Sequence, residues 1–405
     1  MHIVAICSLF SSPMNGMAEE GTSIYARELV KKGFEQVRVA QSGDTLFVGI
    51  ENRAYRWEPR GVAEVLALLM PLLGDSATLS LTCLKSGIPL VTVVVTKQQY
   101  LGLVNHKTDV RAFASSIKSM MSVSQYQEGI GRQKALNSAF LNPDITISPL
   151  LRLQLGNFDH PLEMQFNIVP GVSMTLVKGM TLSAQVILPI YNNLNAEGGY
   201  IRPGIISLSQ VFRLPYNFFA TVTAGYFTRE RYGLAGQLRT YFFNGKVSVG
   251  ASAAYTSGAG YNGETWIYNR PKRITWSCDA TWRWSKQDLT VKASAGRFIA
   301  QDFGWRVDVS RQFGEVSIGF FAMLSGGISN GGFNFIVPLP PRKYSTKHRV
   351  RVRPGSYVPW EYRAKGLPPQ GRTFSTGGSI EEMFYYMNAD YVRNYVGKEI
   401  LRVTR

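Results

Sequence analysis

The sequence predicts a mainly β protein, a transmembrane antiparallel barrel of about 12 strands preceded by a small α/β domain of order αββαββ. Three observations carry that expectation. Between Ile145 and Pro338, stretches of about ten residues alternate apolar and polar side chains and end in a turn. The turns are alternately short and long. Finally, no run of about 18 apolar residues occurs, so no helix of the chain reads as a membrane span.

The clearest alternation runs from Arg273 to Ser285. Ile274, Trp276, Cys278, Ala280, Trp282 and Trp284 fall on one face, and Arg273, Thr275, Ser277, Asp279, Thr281 and Arg283 on the other. Three tryptophans on the apolar face of one strand suit lipid. A soluble sandwich would instead bury that face, yet Arg239, Lys246, Arg283, Lys292, Arg306 and Asp308 make the opposite faces too charged for a sandwich core. The predicted strands are 145–155, 161–177, 180–191, 202–214, 218–228, 232–243, 246–256, 273–285, 288–298, 303–313, 315–325 and 331–338. Pro170-Gly171 is expected to bend the second or mark a bulge. Lys178-Gly179, Pro215–Asn217, Asn244-Gly245, Lys286-Gln287 and Gly314 make tight connections, whereas 257–272 is read as a long surface loop. Outer-membrane barrels place short turns in the periplasm and long loops outside.

Ahead of the strands, residues 22–105 read as the α/β domain. Ser23 caps a helix ending at Gly33; strands 37–39 and 45–50 flank a Ser42-Gly43-Asp44 turn; a helix over 62–73 precedes strands 78–84 and 90–96. Residues 1–21 read as a signal or truncated leader, with Cys7 a poor lipidation site, and 106–143 as a linker. The barrel is assigned to 144–340, and 341–405 to a basic tail with an amphipathic helix from Ser379 to about Ile400.

Composition limits the chemistry. A net charge of +17 favours polyanionic partners: lipopolysaccharide, anionic lipid or an acidic glycan. Nucleic acid is disfavoured for a tail trailing from a barrel into the periplasm, despite Tyr344, Tyr357, Trp360 and Tyr362 among the tail's cations. His2, His106, His160 and His348, like Cys7, Cys83 and Cys278, lack metal-ligand spacing, so neither metal nor cofactor is expected. Glu163, Asp279 and Asp308 are conceivable acid/base carboxylates, but no nucleophile accompanies them in sequence, and the protein is read as non-enzymatic. By strand parity, Arg152, Arg213, Arg239, Lys246, Arg273, Arg283, Lys292 and Arg306 face a lumen with Glu163, Asp279 and Asp308. Eight cations against three anions make these candidate contacts to an acidic glycan, unless they merely fill the lumen.

Two stretches resemble the YjbH family. Gly33-Phe34-Glu35-Gln36-Val37-Arg38-Val39, Gly43-Asp44-Thr45-Leu46 and Glu51-Asn52-Arg53-Ala54-Tyr55-Arg56 are similar to that family's periplasmic α/β module. Gly304-Trp305-Arg306-Val307-Asp308-Val309-Ser310-Arg311-Gln312-Phe313 and Gly332-Phe333-Asn334-Phe335-Ile336-Val337-Pro338-Leu339 are similar to its last barrel strands. The resemblance spans roughly 22–340 and implies a Gram-negative outer-membrane component of exopolysaccharide secretion, working beside a polysaccharide-export protein to pass or dock the polymer. It assigns no role to the tail. The rival expectations are an outer-membrane hydrolase or acyltransferase, and a structural or adhesion barrel.

Overall fold

A computed structural model describes residues 14–155, 162–194, 196–346, 348–364 and 368–405. Cys7, His2, His160 and the 156–160 connection lie outside the described residues, as does the leader before Met14.

The first unit begins with α1 (Met14–Lys31), β1 (Glu35–Ser42), β2 (Thr45–Glu51), α2 (Glu58–Leu69), β3 (Thr78–Lys85) and β4 (Ile88–Thr96). It continues through α3 (Lys97–Val104), α4 (Val110–Ser116), β5 (Lys118–Met120) and α5 (Ser124–Gly129), so the stretch read as a linker adds an edge strand and helices. The sheet order is β1-β2-β3-β4-β5. Only β2 and β3 pair in parallel, and α2 supplies the crossover that parallel pairing requires. Pro59 in the first turn starts α2, since a proline there loses no helical hydrogen bond. A reciprocal cap between Thr96 and Gln99 starts α3. Strands β3 and β4 are buried on both faces, and the core holds Leu66, Leu79, Leu81, Leu90 and Val93 out of solvent.

The second unit is a fourteen-stranded sheet. Its consecutive antiparallel members are β6 (Asp144–Leu155), β7 (Leu162–Val177), β8 (Met180–Asn192), β9 (Arg202–Arg213), β10 (Phe218–Phe227) and β11 (Arg231–Phe242). Then come β12 (Val247–Tyr261), β13 (Trp266–Trp284), β14 (Leu289–Arg297), β15 (Phe303–Phe313), β16 (Val316–Ser325) and β17 (Ile328–Pro338). The alternation sets both the strands and their faces. Trp276, Trp282 and Phe320 are 42%, 50% and 66% exposed, while Thr275, Arg283 and Phe321 on the opposite face are buried.

Two expectations need correction here. The 257–272 loop is largely an extended hairpin, because Gly258, Gly260 and Tyr261 pair with Arg270, Ile267 and Trp266; its glycines hid a strand clad by Tyr226, Tyr232 and Tyr268. Pro170 and Gly171 stay in register with β6, and the register of β7 against β8 shifts instead at Phe166/Asn167 and at Thr175/Val177.

The presumed tail belongs to both units. β18 (Arg351–Pro354) pairs parallel with β6, and β19 (Tyr357–Arg363) pairs antiparallel with β17. One short extended segment thus meets both the first and the last strand of the twelve. The sheet ends at β18 and β19, and the pairing among described residues does not itself form a closed ring. The chain then returns along the polar face through α6 (Ile380–Tyr385) and finishes in α7 (Ala389–Val403). The single amphipathic helix expected over 379–400 is therefore two, with Asn388 capping the second through Asp390 N–H. In α7, Val392, Val396 and Ile400 are fully buried in the α/β core, and Tyr391 is buried against Trp57. Gly397 permits that approach, because a Cβ there would stand 2.9 Å from the Phe113 ring.

Candidate functional site

The polar face of the large sheet surrounds a cavity of about 810 Å³, lined by side chains from β6, β11, β13, β14, β15 and β19. The returning chain runs down through it. At the end of the long connections, Gly371 N–H donates to Asp302 at 2.7 Å and Ile299 N–H to the Arg372 carbonyl at 3.1 Å. Farther along, Arg229 Nε donates to the Thr373 carbonyl (2.8 Å), Thr228 N–H to that of Ser375 (3.1 Å) and Ser207 Oγ to that of Thr376 (2.8 Å). Phe384 then packs between Phe219 and Tyr241, with ring centroids 4.8 and 4.4 Å apart, and Asn388 Nδ2 donates to the Gly245 carbonyl at the β11–β12 turn. A backbone segment placed here must have its polar groups satisfied, and the inward-facing polar side chains of the strands do that.

Charge inside is balanced in a way strand parity could not reveal. Arg239 forks onto Asp279 at 2.7 Å and lies 3.7 Å from Glu381, while Lys292 reaches Glu381 at 2.5 Å. Arg306 joins Asp308 (2.6 Å) and Glu361 (2.7 Å) and sits 3.9 Å over the Phe321 ring. Arg283 donates to Gln312 at 2.6 Å, pairs with Asp288 at 3.3 Å and covers the Tyr391 ring. Two of the neutralising acids, Glu361 and Glu381, come from the presumed tail. Bringing charges out of water requires such partners.

Of the eight predicted lumen cations, Arg152, Arg239, Arg283, Lys292 and Arg306 line the cavity. Three do not. Arg213 turns toward the α/β module and donates to the carbonyls of Pro89 and Met121. Lys246 is exposed at the tight turn before β12, and Arg273 lies half-buried beyond the cavity lining. Parity correctly gives a side chain's face but not its height along the strand. Asp279 and Asp308 serve as ion-pair partners, and Glu163 lies outside the lining. Sequence reasoning missed Arg229 and Arg363, which line the cavity from a connection and from β19.

The α/β module and α7 dock on four of the tight turns. Gly179 N–H donates to the Ser86 carbonyl, and Asn244 exchanges hydrogen bonds with Met121 and Ser119 at 2.8 and 2.6 Å. Asn394 and Tyr395 reach Ser285 and Asp288 (2.8 and 2.9 Å), and Tyr391 OH donates to the Gly314 carbonyl at 2.7 Å. Beside them Arg56 forks onto Glu315 at 2.6 and 2.9 Å, with both side chains almost wholly buried. Arg53 and Arg351 share Asp144 at the start of β6.

A sequence family described as exopolysaccharide biosynthesis protein YbjH matches residues 11–202 and 204–337. The chain belongs to the YjbH family. No curated protein matches it. The YjbH match takes in the α/β module and the strands β6 to β17, but stops inside β17. Strands β18 and β19, the chain inside the cavity and α7 all lie beyond the matched residues.

Proposed function

We propose that this YjbH-family chain is an outer-membrane β-barrel of an exopolysaccharide secretion system, and that it docks an acidic polysaccharide there rather than passing it. In this reading the β18–β19 segment closes the barrel between β6 and β17, and the outward aromatic and aliphatic belt meets lipid and lipopolysaccharide. Most of the strands match the length a tilted strand needs to cross the hydrocarbon. The tight turns and the α/β module lie in the periplasm, where the module is a platform for a polysaccharide-export partner. The chain acts without catalysis and without nucleic acid.

One observation carries docking over transport: the cavity is threaded by residues 371–388, and its tight-turn end is covered by the module. A lumen so occupied leaves a polymer no straight path. The test is a deletion strain complemented with the chain, scored for secreted exopolysaccharide, with fractionation of the protein. Restored secretion with the chain in the outer membrane is expected. Secretion that proceeds unchanged without the chain, or a chain found only in soluble fractions, would overturn the proposal.

A further inference from the structure

Most cations of the cavity are matched by acids, but those nearest the long connections are not matched to the same degree. Arg152, Arg229 and Arg363 line this end. Arg152 feels the charges of Arg202 and Arg372, and Arg229 those of Arg372, Arg152 and Arg363. Among the described residues neither Arg152 nor Arg229 stands in an ion pair, and Glu361, the acid beside Arg363, already holds both Arg306 and Arg363 at 2.7 Å. Arg363 is only 9% exposed through its side chain, and its Nη1 has no hydrogen-bond partner among the described residues. Burial, reinforced by the neighbouring guanidiniums, pulls Arg229 down to about 10. Like charges held together out of bulk water call for a counter-anion. Guanidiniums favour planar oxyanions, which they can grip through two parallel N–H donors.

We propose that Arg152, Arg229 and Arg363 form a binding site for the carboxylate of an acidic saccharide, a proposal that rests on the exopolysaccharide reading above. The remainder of a sugar ring would meet the hydroxyl-lined wall, which includes Ser277 and Thr373. The site gives the docking function its specificity: a uronate-bearing polymer is held, and a neutral one is not.

The test uses the full chain in detergent micelles, titrated calorimetrically with hexagalacturonate, maltohexaose and inorganic phosphate. Hexagalacturonate should bind at one site and maltohexaose should not. Arg229→Gln with Arg363→Gln should weaken binding about tenfold or more, as expected from losing charge-assisted hydrogen bonds. Arg229→Lys with Arg363→Lys should retain part of it, and Lys246→Gln, at the exposed turn, should change nothing. Circular dichroism confirms that each variant keeps its strands; if the glutamine pair unfolds, the lysine pair against wild type becomes the deciding comparison. Equal affinity for maltohexaose, competition by phosphate at equal concentration, or unaltered binding in the folded variants would overturn the assignment. A glutamine pair that binds no hexagalacturonate yet restores secretion in the deletion strain would remove the site's role and leave the secretion reading standing.

Discussion

The two units of this molecule bury opposite halves of their side chains. In the α/β module, Leu66, Val93 and Ile400 lie wholly inside; across the large sheet, Phe320 and Trp282 point out while Arg239 and Asp279 point in. The first arrangement is stabilised by water's exclusion of apolar surface. The second exposes an apolar belt, which the proposed outer-membrane setting would place against lipid. Under that proposal the same apolar residue types carry the fold by packing in one unit and by solvent matching in the other.

The junction is where both arrangements must agree, and it offers the largest break. Arg56→Ala leaves Glu315 buried without its main partner and is expected to cost about 3–5 kcal/mol, the usual penalty for stranding a buried charge. Thermal unfolding in micelles should show the module detaching at lower temperature than in wild type. Next, Leu66→Ala should destabilise the module by about 2–5 kcal/mol, whereas Phe320→Ala should have little effect in the same denaturant titration. Equal losses would mean that Phe320 is packed against protein. Phe320→Arg reverses the contrast, with an expected cost of about 2–4 kcal/mol in bilayers if its position lies near the midplane. Refolding into lipid vesicles at graded urea measures it.

The smallest effect is a pH dependence. Burial holds the Glu58 carboxyl above its ordinary 4.5, despite hydrogen bonds with Asn52 and Cys83. The folded state therefore binds more protons than the unfolded one. The favourable contribution of the neutral acid is complete below 4.5 and is lost as pH rises through the raised folded value. Glu58→Gln should flatten the decline in stability above pH 4.5, and an unchanged slope would show that Glu58 ionises freely in the fold.

Much of this architecture is legible in the sequence because strand period and turn chemistry are local. The twelve strands β6 to β17 follow from alternation and from turns such as Asn244-Gly245 and Gly314. β18 and β19 are not legible in the same way: they are short, and Pro354 and Pro359 read as breakers although both find places at the sheet's margin. The partnership of Lys292 with Glu381 joins groups 89 residues apart, and no local pattern announces it. The acids that neutralise the interior were visible as residues but not as neighbours, so the predicted cationic lumen became a network of ion pairs.

Tryptophan fluorescence in vesicles of brominated phospholipid tests the inverted sheet most directly, using variants that keep only Trp282 or only Trp57. Bromine quenches only rings that touch lipid. The account predicts strong quenching of Trp282, half exposed on the outer face, and little quenching of Trp57, buried against Tyr391 and Tyr395. Equal emission from Trp282 in brominated and unbrominated vesicles would contradict it.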